Sequence, residues 1–497
     1  MPGEKVGVFG HGYQTPTPIR GAVGRHKGDI FRCEAVILPL IQWLEQRTSH
    51  ESFSLGIVSR HPYPSARLAD TYQERVFWPT QADPPTIQPH AVPARADVVI
   101  VGAGYCGLAA ARELARRGRS VVVIERDPIG FGASTRNGGM VLPELKAGPA
   151  ALEHKYGEVG RRLYDDVNQA FDHVETLIAD EAIECDYRRD GQLYLAHNRA
   201  HVAGLQAMAA EHGGPLGEPV YWVPPDELAD EIGSTAFFGG VVLERSGGLH
   251  PAKYHAGLAR LALDAGADIH DHTTALSLER RSGTRTGFRL ATSRGAVEAE
   301  HVIVATNAYA DGLVPWLRRR VVPVGSYIIA TEVLDPDLAH QVSPRNRMLV
   351  DTKNFLFYWR LAPDGRLLFG GRQSLAPATI PEARDFLYQS MVRIHPQLAD
   401  IALEFAWGGN VAVTLDRMPH FGRVPTGEAE GAIFATGCNG SGVALNSWLG
   451  VRAADVVEGG DPPPYAEIPF AAVPLHAARA AYLPVVGQWF GWQDRRP

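Results

Sequence analysis

Residues 98–107 read Val98-Val99-Ile100-Val101-Gly102-Ala103-Gly104-Tyr105-Cys106-Gly107, and residues 120–125 read Ser120-Val121-Val122-Val123-Ile124-Glu125. A continuous apolar strand runs into a G-x-G-x-x-G turn, a helix is predicted over Leu108–Arg117, and a second apolar strand ends on an acid. Each feature has a physical reason. Gly102 permits the tight turn, Gly104 lets the backbone approach a pyrophosphate, and Gly107 lets helix and strand pack closely. Tyr105 and the small Cys106 complete the turn. The helix N-terminus offers free N–H groups and partial positive charge to phosphates. Glu125 is placed to accept hydrogen bonds from both hydroxyls of a ribose. Arg126 beside it would suit a 2′-phosphate, but the acid would repel that group.

Strand, helix and strand within about 30 residues predict a parallel crossover and an α/β fold. A second G-x-G, Gly10-His11-Gly12, follows the apolar Val6–Phe9, but Pro16 and Pro18 break the helix it would need, so a loop is expected there. Downstream, Ile129–Gly139 is a long Gly-rich loop in which Gly132, Ala133, Ser134, Arg136, Asn137, Gly138 and Gly139 offer hydroxyl, guanidinium, amide and close-approach positions. A plain nicotinamide-binding domain would enter another helix here. The loop suits a larger ligand that runs past the sheet, namely FAD. Near the end of the chain, Ile433–Val443 repeats the strand, Gly-rich turn and helix order with Gly437, Asn439, Gly440, Ser441, Gly442 and Val443. A second helix N-terminus aimed at a flavin would stabilise negative charge at N1 and O2 on reduction.

The chain has 497 residues, is 45% hydrophobic and 21% charged, and carries a net charge of −7, which predicts about two globular domains and disfavours nucleic-acid binding. Cys33, Cys106, Cys185 and Cys438 are scattered singly, so neither a disulfide framework nor a metal site is implied. No apolar run approaches the ~18 residues of a membrane span and no signal-peptide core is visible, so a cytoplasmic protein without an integral membrane segment is expected.

Residues 1–65, rich in Gly, His and Pro, read as a loop-rich extension, and 66–95 as a linker holding a short helix between Arg67 and Trp78. Ala150–Asp180 reads as one long helix, Phe355–Leu361 and Arg366–Gly371 as a hairpin about Pro363-Asp364-Gly365, and 461–497 as a tail.

Ala96–Glu125, Gly130–Gly139, Gly247–Thr273, Val302–Tyr309, Arg366–Arg372, Trp407–Gly422 and Ile433–Leu449, in that order, resemble the D-amino acid oxidase-type FAD-dependent oxidoreductases, with the gamma-glutamylputrescine oxidase-like branch the most similar. The resemblance implies a Rossmann-like FAD-binding domain with a parallel sheet, formed by 96–182, 245–320 and 405–460. It implies a second, interleaved α+β substrate domain on a mixed sheet, formed by 183–244 and 321–404. It adds Thr306 and Asn307 to the cofactor residues. It implies oxidation of a C–N bond in an amine or amino acid, with hydride passing to flavin N5 and the imine then hydrolysed. Sarcosine-oxidase-like relatives attach flavin through a Cys just before the stretch resembling Val413–Asp416. Trp407-Gly408-Gly409-Asn410 has none, so non-covalent FAD is expected. Those relatives also place an oxygen-activating Lys on the strand resembling Arg366–Arg372. None is present here, which leaves the acceptor open between O2 and another carrier.

Tyr358, Arg372 and Trp407 are expected to line the substrate pocket, the aromatics by cation–π attraction to an amine and Arg372 by bidentate binding of a carboxylate. His250 is read as a helix start, Arg112, Arg116, Arg117 and Arg119 as a solvated helix face, and Asp416-Arg417 as an ion pair bracing the flavin loop. Two other readings stay open: a flavin hydroxylase using NAD(P)H, and a flavin-binding assembly subunit without turnover.

Overall fold

The computed structural model describes residues 65–213, 219–281 and 287–494. The loop expected at Gly10–Gly12, and all but the last residue of the 1–65 extension, lie outside the described residues.

The glycine-turn stretch builds the first of two large sheets. Strand β1 (Arg95–Val101) leads through the turn into helix α1 (Tyr105–Arg116) and strand β2 (Val121–Ile124). Helix α2 (Pro251–Asp264) and strand β3 (Asp268–His270) follow, then β4 (Gly295–Val304), β5 (Ile433–Thr436) and helix α3 (Val443–Val457). β4, β1, β2 and β3 lie side by side and parallel, with Val304 opposite Val101, Val101 opposite Ile124, and Ile124 opposite His270. β5 joins β4 in parallel, and the antiparallel pair Ala275–Arg281 and Gly287–Thr292 continues beyond β4.

The uninterrupted apolar runs have a cause. Val98, Ile100, Val121 and Val123 pack into a core with Leu108 and Leu114 of α1 and Leu258 of α2. Val99, Val101, Val122 and Ile124 point the other way, into a second core with Leu278, Phe288 and Phe434. A parallel sheet covered on both faces needs apolar residues at every position rather than alternate ones. α1 and α3 meet where a Cβ on Gly450 would stand 2.3 Å from the Cys106 carbonyl oxygen. The arginines in and just after α1 form the expected solvated face only in part: Arg116 and Arg117 are exposed and Arg119 is half-exposed, but Arg112 is not. Arg112 is buried against Glu113 and Glu181, Arg117 pairs with Asp455 at 2.8 Å, and Arg119 with Glu458 at 2.8 Å.

The second sheet has nine strands in the spatial order Leu68–Gln73, Leu403–Val413, Val322–Val333, Arg366–Gly371, Tyr358–Leu361, Met348–Asp351, Gln192–Leu195, Gly240–Leu243 and Val220–Val223. It is mixed, and the helix Ile380–Ile394 covers one face through Leu387 and Met391.

Three expectations are corrected. The helix predicted between Arg67 and Trp78 is instead the strand Leu68–Gln73, with Trp78 opening a short 3₁₀ turn. The strand pairs in parallel with Leu403 and Phe405, a distant edge that local propensity cannot register. The long helix at 150–180 is two helices, Pro149–Tyr156 and Glu158–Asp180, parted by Gly157 at φ +60°. The tail forms a helix over Arg479–Gln493, and Asp494 accepts hydrogen bonds from the backbone N–H groups of Asn354 and Phe355 at 2.8 and 2.9 Å. No helix among the described residues is long and apolar enough to cross a membrane.

Candidate cofactor and active site

The turn after β1 admits only glycine at its first position. Gly102 has φ +106°, and a Cβ there would lie 2.9 Å from the Ala305 carbonyl oxygen. A Cβ on Gly107 would sit 1.9 Å from the carbonyl oxygen of Gly102, so this glycine sets how closely α1 packs on the sheet. Gly104 is the N-cap of α1 and supplies no capping side chain. Ser134 of the following loop accepts from the Tyr105 N–H at 3.0 Å, so the two Gly-rich segments are joined at the helix start. Glu125 accepts from the N–H groups of Ala103 and Asp127 at 2.9 and 3.1 Å. Burial raises its carboxyl above the ordinary value, against the lowering effect of those two donors.

These elements wall a groove of about 1390 Å³, open to solvent at its mouth. Of the predicted residues, Gly102, Gly104, Tyr105, Cys106, Glu125, Arg126, Gly132, Ala133, Ser134, Asn137, Thr306, Asn307, Gly440, Gly442 and Val443 line it. Arg126 reaches outward to Asp127 and Asp311 at 3.2 and 3.4 Å, on the surface beside the groove. A glycine cradle at a helix N-terminus, a half-buried acid at the end of β2 and a second uncapped helix start at Gly442 fit the pyrophosphate, ribose and flavin of FAD.

Other predicted cofactor residues stand behind the wall. Gly107 packs as described. The Arg136 guanidinium donates to the carbonyls of Phe131 and Gly408 at 2.6 and 3.1 Å, so its charge is satisfied by backbone. Gly138 lies beneath the Tyr358 ring, and a Cβ on Gly139 would stand 2.2 Å from the Leu249 carbonyl oxygen. The Gly437 N–H donates to Asn307 Oδ1 at 3.1 Å, and Asn439 Oδ1 accepts from the Thr414 N–H at 3.2 Å. Ser441 donates to Glu144 Oε1 at 2.6 Å, and Lys146 bridges both at 2.8 and 3.0 Å. The sequence reading missed Glu144 and Lys146, which flank no motif. It also missed His255, whose Nε2 donates to the Ala103 carbonyl at 2.8 Å and whose burial favours the neutral ring. His250 is the N-cap of α2, accepting from the Lys253 N–H, as expected.

On the second sheet, Tyr358 touches the cofactor loop. Its ring is the nearest neighbour of a Cβ placed on Gly138, at 3.2 Å, and on Gly370, at 2.3 Å, and its hydroxyl is 3.2 Å from that of Ser326. Arg372 follows the strand that carries Gly370. It is half-buried and has neither an ion pair nor a hydrogen bond among the described residues. Burial lowers its pKa, and so does Arg417, while Tyr358 opposes both. Trp407 corrects its prediction. It packs with Phe77, Trp78 and Phe405 in a closed core and donates its indole N–H to the Arg136 carbonyl at 2.9 Å, so it braces the loop from behind. The Asp416–Arg417 pair does not form. Asp416 meets His420 Nε2 at 3.1 Å and the Met418 N–H at 3.1 Å.

A dinucleotide groove that continues along Gly-rich loops to a second, mixed sheet defines a flavin-dependent oxidoreductase. Residues 97–456 match the family described as FAD dependent oxidoreductase, and the chain belongs to that family. It is 33% identical over 372 residues to the probable oxidoreductase OrdL of Haemophilus influenzae, covering 74% of this chain and 84% of that protein. It is 31% identical over 365 residues to gamma-glutamylputrescine oxidoreductase of Escherichia coli, covering 73% and 84%. Among solved structures, glycine oxidase from Geobacillus kaustophilus shares the fold with a TM-score of 0.66 at 23% identity, over 76% of this chain and all of that one.

Proposed function

We propose that this enzyme oxidises the C–N bond of an amine that carries a carboxylate away from the reacting carbon. The observation that carries the reading is Arg372, a half-buried cation without a partner among the described residues, beside a tyrosine that touches the cofactor loop. A cation left without a carboxylate in a partly dry setting is poised to take one from a ligand. The name of the Escherichia coli relative agrees with an amine substrate.

In this reading 96–182, 245–320 and 405–460 hold FAD, and 183–244 with 321–404 hold the substrate. Held there, FAD would supply the two-electron acceptor for the hydride leaving the carbon attached to nitrogen, the amine nitrogen giving up a proton so that an imine remains for hydrolysis by water. The chain's part is positional. Glu125 fixes the ribose, the starts of α1 and α3 face the anionic groups, Arg372 anchors the carboxylate, and Tyr358 limits the approach of the amine and excludes water. FAD is held without a covalent link in this reading, because Trp407-Gly408-Gly409-Asn410 offers no cysteine for one. The acceptor that reoxidises the enzyme is O2 or another electron acceptor.

The test is anaerobic mixing of the yellow protein with a panel of amines and, separately, with NADPH. Bleaching by carboxylate-bearing amines supports the reading. Bleaching by NADPH alone, or only by amines without a carboxylate, overturns it. Arg372→Leu should raise KM for carboxylate-bearing amines by about tenfold or more, the worth of one charge-assisted contact, and leave a matched plain amine far less affected.

A further inference from the structure

A second cluster of chemistry-bearing side chains lies on the far edge of the cofactor sheet. Asp268 and His270 are alternate residues of β3, so their side chains share one face. His90, from the segment leading into β1, packs over them. Its Nε2 is 2.6 Å from Asp268 Oδ1, and its ring centroid is 4.3 Å from that of His270. His270 Nε2 is 3.1 Å from the other carboxylate oxygen. One donor atom from each of the three residues falls within 4.8 Å of the other two. The cofactor groove does not include them.

From this geometry we propose that His90, Asp268 and His270 bind a divalent transition-metal ion of the zinc class. The His270 side chain is fully buried, yet neither ring nitrogen makes a hydrogen bond among the described residues. Most buried polar atoms are paired, and where His395 faces only a tryptophan, the His270 ring faces a carboxylate and a second imidazole, an arrangement for which an ion is the natural partner. His90 Nδ1 lies 2.8 Å from the Gln88 carbonyl oxygen, the kind of contact that fixes the ring of a metal-bound histidine, and the proton that Nε2 shares with Asp268 Oδ1 would be released when the ion binds. Two imidazoles and one carboxylate, with a further position open to water, suit Zn²⁺ and its transition-metal neighbours rather than Ca²⁺ or Mg²⁺, which take mainly oxygen ligands. The ion would fasten the chain segment before β1 to the sheet edge. It would do so beside the ribose acid, because the Glu125 N–H donates to the His270 carbonyl oxygen at 2.9 Å.

The experiment uses the full-length FAD-loaded protein, freed of metal with EDTA and titrated with Zn²⁺ against a chromophoric chelator. About one tight equivalent per chain is expected, because the donors converge before the ion arrives. Loss of a second-shell partner costs about 10–100-fold in affinity, so Asp268→Asn and His90→Ala should each cost about a hundredfold or more. Exposed His340→Ala should cost nothing. Zn²⁺ should raise the melting temperature of the wild type and not that of His90→Ala, with FAD content equal in both. Absence of a tight equivalent overturns the site, as does one that survives both substitutions. A melting temperature indifferent to Zn²⁺ in the wild type overturns it as well.

Discussion

Trp407 donates its indole N–H to the carbonyl oxygen of Arg136 across 2.9 Å, and Trp78 does the same to the next carbonyl, that of Asn137, across 2.8 Å. Both indoles are buried. One comes from the second sheet and the other from the segment before β1. Together they fix two consecutive peptides of the loop that walls the flavin groove.

Trp407→Phe keeps most of the packing and removes this hydrogen bond, worth about 1 kcal/mol. FAD should dissociate roughly five times more readily, and kcat/KM should fall by the same factor for amines with and without a carboxylate. Selective loss for one substrate class would place Trp407 in the substrate pocket after all. Measuring FAD release by fluorescence alongside the two rate constants decides it.

Glu125 has two protein donors and remaining acceptor capacity toward the groove. Its charge-assisted bonds to ribose should be worth about 1.5–3 kcal/mol, so Glu125→Ala should weaken FAD binding about ten- to a hundredfold without changing the spectrum of the reconstituted protein. Acid precipitation of the wild type should release all the yellow colour. Colour kept in the pellet would mean a covalent flavin, and full FAD retention by the variant through dialysis would remove Glu125 from the ribose site.

His395 is buried edge-on to Trp359, with ring centroids 6.0 Å apart and neither ring nitrogen paired among the described residues. Burial lowers its pKa from 6.5 to about 4. Between those values the unfolded chain holds the proton and the folded chain does not, so stability falls as pH drops through that window and levels off below it. At about 1.4 kcal/mol per pH unit the loss is of order 3 kcal/mol. His395→Phe should therefore give a flatter melting temperature between pH 6.5 and 4 than the wild type, read by calorimetry. Parallel curves would show that the ring is already protonated in the folded protein.

What the sequence revealed, and what it hid, follows from the range of the interactions. Gly102, Gly107 and Glu125 act on atoms within one strand–helix–strand unit, so their spacing announced both their conformation and the groove. Trp407 lies on a strand whose partner at that position is Ile328 of Val322–Val333, and that long-range pairing decides which face its ring takes. Alternation alone could not separate pocket from core. Arg136 and Ser441 carry donors suited to a phosphate, but the nearby carbonyls and Glu144 take them first. His90 stands far along the chain from Asp268 and His270, so no local motif could join them. Gly157, by contrast, was open to reading: a glycine between two helical stretches, adopting φ +60°, is a natural break.

The strand Leu68–Gln73 has a bearing on where this chain can be cut. It occupies the outer edge of the nine-stranded sheet against Leu403 and Phe405, and just ahead of it the Ala66 N–H is held by Asp385 at 3.0 Å. Removing it would leave the Leu403–Val413 strand with a row of unpaired backbone groups, a template for pairing with another molecule. A truncation that begins at Ser65 keeps this guard. One that begins at Arg95, where the glycine-turn unit starts, would retain every groove-lining segment and still self-associate through the bared edge, a defect visible in light scattering before it is visible in flavin content.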